Sequence, residues 1–383
     1  IHERLVGSEM CIRDRHRAML IKEIIYHLQE LAPLARQEDY DNSGLQVGRT
    51  DVECTGALVC VDVTPAVVNE AIELGCNLII SHHPLLFKPL KRITGATLTE
   101  QSVMMALSEG VTVYSSHTCL DNAPGGVSWK MAGMLGLTQV SVLQPQTNRM
   151  LKLRVFVPPT HADKVCSALF EAGAGRIGAY EHCVYRSQGV GTWTALPGAD
   201  PAIGKVGCAT TQEEECLDIM LPIWKRESVE AALLSAHPYE QPAYEFVPVS
   251  NCEPNAGCGA VGMLPEPITA AQLVLKIKDT FGSPVARCSL MAPESMVQKV
   301  ALCGGSGASF IPDAIAAGAD AYLTSDTRYH DFVDYGRRIL LVDIGHHESE
   351  QCTKSIFYHL IREIFPNFAV RYSQQDINPI KYM

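Results

Sequence analysis

Residues 57–84, ALVCVDVTPAVVNEAIELGCNLIISHHP, read as a strand, a helix and a second strand that ends in polar side chains. The run Ala57 to Val63 lacks the polar alternation of a half-exposed strand, which points to burial on both faces. Pro65 suits the first turn of a helix and Gly75 follows its end, before Leu78 to Ile80 turns apolar again. This is a βαβ unit. Open sheets of this kind place ligands just beyond the carboxyl ends of their strands, where Ser81, His82, His83 and Pro84 stand.

Working outward, Leu20, Ile21, Ile24, Ile25, Leu28 and Leu31 share one helical face closed by Pro33. A helix-like stretch ends at Gly110, Val111 to Tyr114 reads as a strand and Gly126 to Leu135 as a helix. The alternation resumes near Gly257, with a helix at Ala270 to Thr280, a strand at Lys299 to Cys303 and a helix at Ile311 to Ala317. Strands at Ala321 to Thr324 and Ile339 to Asp343 follow, then a long amphipathic helix through Ile356, Leu360 and Ile364. Ala71-Ile72 precedes Gly75 as Ala314-Ile315 precedes Gly318, and each glycine leads into an apolar strand with a polar end, Ser81-His82-His83 or Thr324-Ser325-Asp326. The pattern predicts two related α/β halves that form one domain.

Lys152 to Val249 differs, with a strand at Leu153 to Val157, a helix at Ala162 to Ala172, a glycine-rich turn at Gly173 to Gly178, a helix around Glu227 to Ala236 and a strand at Tyr244 to Val247. This predicts a small α+β module inserted in a loop. The expected organisation is 19–145 and 252–383 as the two halves, with 146–251 as the insert. Ile1 to Ala18 has no sustained period, and Val6 to Arg15 resembles a translated sequencing adaptor. Residues 1–18 are therefore taken as a non-native leader, with Met19 as the natural start.

At 383 residues the chain exceeds one typical core, in keeping with a large domain carrying an insert. A net charge of −11 without a long Lys/Arg block argues against a nucleic-acid face, though a small basic pocket stays open. The apolar runs fall short of the roughly 20 residues of a membrane span. Fourteen cysteines without a CxxC pair or a signal-peptide pattern read as buried thiols in a reducing compartment, so the expected location is cytoplasmic.

Three clusters carry chemistry. Side chains of the adjacent His82 and His83 are expected to diverge and could each serve a different ion, while a histidine pair in a loop also serves purely structural ends. His117-Thr118-Cys119-Leu120-Asp121 follows a strand too and brings an imidazole and a carboxylate to the same sheet edge. Asp121 could bridge two cations, or could cap the helix after Gly126 or fix a turn with Asn122, Pro124 and Gly125. In Gly345-His346-His347-Glu348-Ser349-Glu350, His346 and Glu350 are four apart near the start of the last helix, a spacing that suits metal ligation and equally a solvated helix start. Together the clusters supply His82, His83, His346, Asp121 and Glu350, an inventory that fits two divalent ions sharing a bridging carboxylate and a bridging water. Such ligands accept Zn, Mn, Fe, Co or Ni.

These motifs, with Asp41-Asn42-Ser43-Gly44-Leu45-Gln46-Val47-Gly48, resemble the signatures of the dinuclear metal-centre proteins known as NGG-interacting factor three-like or GTP cyclohydrolase I type 2 homologues. The resemblance runs from about Met19 to Tyr372. It implies the same five metal ligands, with Asp121 as the bridge, and adds Thr324, Asp326, Tyr329 and His330 as family-like positions. Ser325 stands where the family usually has glycine. The insert, with Gly173-Ala174-Gly175 and His237-Pro238-Tyr239-Glu240, resembles an optional ferredoxin-like module of the PII or CutA kind. The resemblance further implies a homohexameric ring and hydrolytic opening of the guanine ring of GTP, with hydroxide as the attacking group. His117 and His330 are the candidates for proton transfer. The competing expectation is a non-catalytic metal-binding regulator or scaffold whose insert senses a small molecule.

Overall fold

In the computed structural model, which describes residues 19–253, 255–290 and 292–383, the 57–84 stretch folds as strand Ala57–Cys60, helix Pro65–Glu73 and strand Leu78–Ser81. The leader expected at 1–18 lies outside the described residues. Thr64 caps the helix by accepting the Val67 amide at 3.3 Å, and Pro65 sits in its first turn. The described chain divides into two compact units, one running to Gln144 and again over Cys258–Met383, the other spanning Pro145–Gly257.

The first unit contains two sheets. In one, Gly44–Val47, Thr112–Ser115, Leu78–Ser81, Ala57–Cys60 and Val370–Tyr372 lie side by side, parallel except for the first. In the other, Met296–Leu302, Ala321–Thr324 and Leu340–Asp343 are parallel neighbours, flanked by Arg287–Cys288 on one side and by Gly257–Thr269 and Thr138–Pro145 on the other.

Side chains alternate across each strand, and this divides the core. Ala57, Val59, Leu78 and Ile80 from the first sheet and Val300, Leu302, Ala321, Leu323 and Val342 from the second join a single buried cluster with Ile24, Leu28 and Phe357. Their neighbours Leu58, Cys60 and Ile79 pack in a second cluster, and Ala301, Tyr322 and Leu341 in a third.

The likeness of the halves extends to backbone hydrogen bonds. Gly75 donates to Ile72 and Cys76 to Ala71, at 3.1 and 2.8 Å. Gly318 donates to Ile315 and Ala319 to Ala314, at 2.9 and 3.0 Å. Both glycines have left-handed φ, +68° and +70°, which is why glycine ends each helix.

One element departs from expectation. The sequence predicts that His346 and Glu350 open the long last helix, but they form a separate short helix, His346–Glu350, followed by Thr353–Ile364. Gln351 and Cys352 keep helical φ of −59° and −67° with shallow ψ of −14° and −18°, a tightened turn that separates the two. The i,i+4 relation survives the break.

The second unit is an antiparallel four-stranded sheet in the order Tyr185–Thr194, Ala209–Pro222, Met150–Val157, Tyr244–Val249, with helices Pro159–Glu171 and Arg226–Ala236. This is the ferredoxin-like arrangement. Its own core joins Leu153, Val155, Leu217 and Ile219 to Val165, Leu169, Val229 and Leu233. Two of its strands, Tyr185–Thr194 and Ala209–Pro222, carry no clear mark in the sequence; along the first, eight of ten residues are exposed, so no buried face imposes a period. No helix among the described residues is long and apolar enough to cross a membrane.

Gln146 donates to Ala256 at 3.0 Å, so this unit's chain enters and leaves at neighbouring points. Replacing residues 145–257 with a short Gly/Ser linker is expected to leave a soluble α/β core that melts cooperatively in circular dichroism. Aggregation or a non-cooperative transition would count against two separable cores.

Candidate metal centre

The ends of the two sheets bring together His82, His83, His117, Asp121, His346 and Glu350. His82 follows Leu78–Ser81 and is fully buried; its Nδ1 donates to the Ser116 carbonyl at 3.0 Å. A carbonyl can only accept, so Nδ1 carries a proton there and Nε2 is the ring nitrogen that faces the cluster. Nε2 has no hydrogen-bond partner among the described residues, and neither has the buried Asp121 Oδ1 3.8 Å away. Glu350 Oε1 stands 3.6 Å from the same Nε2, too far for a hydrogen bond.

His83 lies one residue on. The hydroxyls of Ser81 and Ser115 both donate to its carbonyl, at 2.8 and 3.2 Å. Its Nδ1 meets Asp62 at 2.8 Å and its Nε2 meets Glu350 Oε2 at 2.9 Å. The rings of His82 and His83 do not diverge as adjacent residues were expected to; their centroids are 5.2 Å apart and both face the cluster. From the second half, His346 places Nε2 2.9 Å from Glu350 Oε2 and 3.3 Å from His83 Nε2, while Asp326 holds its Nδ1 at 2.6 Å. His117 is held by Asp41 at 2.8 Å, and Asp41 also accepts from the Thr118 amide and the Ser43 hydroxyl.

Ligand atoms of His82, His83 and His117 lie within 4.8 Å of one another, as do those of His83, His346 and Glu350. The two groups share His83. Each imidazole is oriented through its other nitrogen, three by carboxylates and one by a carbonyl, the arrangement that orients histidine ligands in metalloproteins. A ring nitrogen and two carboxylate oxygens that converge without hydrogen bonds among them suit a cation. The residues present therefore fit a divalent ion.

Asp121 belongs to the short helix Thr118–Asp121 and neither caps the helix after Gly126 nor anchors its turn through Oδ1. His330 is exposed and edge-on to Tyr329, and no contact among the described residues joins it to the cluster. His347 and Glu348, beside His346, are absent from both ligand groups.

Burial would lower the pKa of His83, but its hydrogen bonds to Asp62 and Glu350 and the charges of both raise it to about 10. His346 reaches about 9, burial again being outweighed by Glu350 and then Asp326. Burial opposes ionisation of Glu350, yet His82, His346 and His83 hold it well below the ordinary carboxylate range. Asp121 goes the other way, pushed up to about 7 by burial with the Glu350 charge adding to it.

Several supporting residues carry no sequence motif. Gly305 has φ +64°, and a Cβ there would stand 2.0 Å from Glu350 Oε1. Its turn is clamped by Ser349, which accepts the Gly305 amide at 3.0 Å, and by Thr324, whose hydroxyl donates to the Gly305 carbonyl at 3.1 Å. Asp376 accepts the amides of Val61 and Asp62 at 2.8 and 3.3 Å and pairs with Lys354 at 3.1 Å. The C-terminal segment thereby fixes the loop that orients His83. Ser325, at the glycine position of the resembled family, avoids left-handed φ, which falls instead on Asp326 at +55°.

The family model described as Duf34/NIF3 (NGG1p interacting factor 3) matches residues 19–379. The chain belongs to this family. Among Duf34/NIF3 relatives named GTP cyclohydrolase 1 type 2 homolog, one from Halalkalibacterium halodurans is 38% identical over 327 residues, covering 84% of this chain and 87% of its own length. One from Bacillus subtilis is 34% identical over 371 residues, covering 94% and 98%. The crystal structure of a Bacillus cereus protein related to NIF3 superposes with a TM-score of 0.83 at 33% identity, over 96% of this chain and all of that one.

Two outcomes are expected. Gly305→Ala should lower zinc or cobalt affinity at least tenfold by displacing Glu350, and Asp376→Asn should lower it less by loosening Asp62, with the ion-free melting temperature changed by only a few degrees; unchanged affinity in calorimetric titrations would refute both assignments. Because His83 and His346 have folded pKa values above the ordinary 6.5, the stability they add to the ion-free protein is complete below about pH 6.5 and is lost as pH rises through 9 to 10. Ion uptake near pH 7 should therefore release protons and tighten as pH rises, read from titrations in buffers of different ionisation enthalpy.

Proposed function

We propose that this chain is a metal-dependent hydrolase that holds two divalent ions on His82, His83, Asp121, His346 and Glu350, with Asp121 between them. The observation that carries this reading is the buried, unpartnered pair His82 Nε2 and Asp121 Oδ1 facing Glu350. Bound there, divalent ions supply Lewis acidity toward a substrate oxygen and toward water.

The chain's own residues set the conditions for that chemistry. Asp121 and Glu350 offset cationic charge in a buried space. Asp62 and Asp326 fix the rings of His83 and His346, so the ligand set is organised before substrate arrives. His117, its Nδ1 tied to Asp41, is the group placed to move a proton beside the site. The name shared by the relatives supports a nucleotide, with GTP first, as the substrate class. A homohexameric ring belongs to the same proposal and rests on the family resemblance, while the cytoplasmic location rests on the cysteine pattern.

Metal-loaded protein incubated with GTP, other nucleotides and generic phosphoesters should turn over at least one of them. Asp121→Asn should abolish that turnover, and the parent protein should carry two ions per chain by elemental analysis after dialysis against a weak chelator. Two retained ions with no turnover of any substrate would make the protein a metal-binding regulator or scaffold instead.

A further inference from the structure

The insert carries a built cavity of its own. Its helices cover one face of the sheet, where Leu153, Val155, Leu217 and Ile219 are buried. The alternate residues Arg154, Phe156, Glu214 and Cys216 line a cavity of about 820 Å³, partly walled by the loop through Ala199–Ile203. The volume suits a small molecule.

Its interior is specific. His237 Nε2 donates to the Phe156 carbonyl at 3.0 Å, leaving Nδ1 to accept the Tyr239 amide at 3.0 Å. Tyr239 Oη then donates to Glu214 Oε1 at 3.0 Å, and the Trp193 ring stands 5.4 Å from the Tyr239 ring. Glu214 is only 9% exposed. Its Oε2 occupies the space above Gly191, where a Cβ would come within 2.3 Å, so glycine at 191 makes room for the carboxylate. Glu240 latches the loop by accepting the Asp200 amide at 3.2 Å.

The charge in this cavity is unbalanced. The cation in its lining, Arg154, is already taken by Asp218 through two hydrogen bonds of 2.9 Å. Among the described residues, no Lys, Arg or His pairs with Glu214 or Glu240. A nine-tenths-buried carboxylate beside two aromatic faces is the chemistry that receives an ammonium group, through charge and through the ring faces.

We propose that this cavity binds an organic cation, with its ammonium group on Glu214 and its apolar substituents against Trp193 and Tyr239. The cavity lies within the second unit and the metal-ligand candidates lie within the first.

The test uses the full chain with its metal loaded. Choline and tyramine are titrated against their neutral counterparts, the tert-butyl isostere of choline and para-ethylphenol, by calorimetry and tryptophan fluorescence. At least one cation should bind saturably and several-fold tighter than its counterpart. Glu214→Gln should erase that preference, and Trp193→Leu should weaken the cation without changing metal content. No saturable binding, equal binding of cation and counterpart, or a preference that survives both substitutions would overturn the proposal. So would a cavity closed by a second copy, reported by self-association that Trp193→Leu abolishes while the cations have no effect.

Discussion

The Glu350 carboxylate, 3% exposed, is the constraint on which the first unit depends. An ionised carboxylate removed from water is costly unless charged or hydrogen-bonding partners surround it. Glu350 finds those partners in both halves, meeting His83 from the first sheet and His346 from its own helix, each at 2.9 Å. It also needs empty volume, which the missing side chain of Gly305 provides. Moving any of these elements would leave buried charge uncompensated.

The internal repeat supplies the required placement. Equivalent strands feed one shared core from two sheets, and His83 after one strand meets His346 and Glu350 after another. The support is repeated as well: Asp62 holds His83 and Asp326 holds His346, each through Nδ1. The halves nevertheless differ where the chemistry does, since Asp121 and His117 come from the first alone. Duplicated scaffold and unequal side chains together give an asymmetric cluster.

Much of this was legible in the sequence because burial leaves a periodic trace. Strands buried on both faces appear as unbroken apolar runs, and the glycines at 75 and 318 mark helix ends through a conformation other residues avoid. The His and carboxylate clusters stood out because each directly follows such a strand. Asp62 did not, and Asp41 entered only as part of a family-like stretch with no role attached: both lie in loops, and their roles exist only through contacts with His83, 21 residues on, and His117, 76 residues on. Gly305 was silent for a related reason, since what it accommodates lies on another element. His330 entered the candidate set through chemical suitability and a family-like position, and it stands exposed beside Tyr329.

The centre also gathers features that a stable fold avoids. His82 Nε2, Asp121 Oδ1 and the Ser325 hydroxyl are buried without a hydrogen-bond partner among the described residues, and Asp326 is held at a left-handed φ of +55°. Each unsatisfied group costs on the order of 1–3 kcal/mol, and a non-glycine residue in that region adds strain. The surrounding core tolerates these costs because it is otherwise well packed and because Asp343 ties the Asp326 loop to the helix start, accepting the Thr327 amide at 2.9 Å and the Gly345 amide at 3.1 Å. For His82 and Asp121, a cation would supply the partner that the polypeptide withholds, so binding there would relieve part of the cost already present in the fold. Affinity at such a centre is then stability deferred, and the rigidity of the two sheets keeps the protein from relaxing around the gap instead.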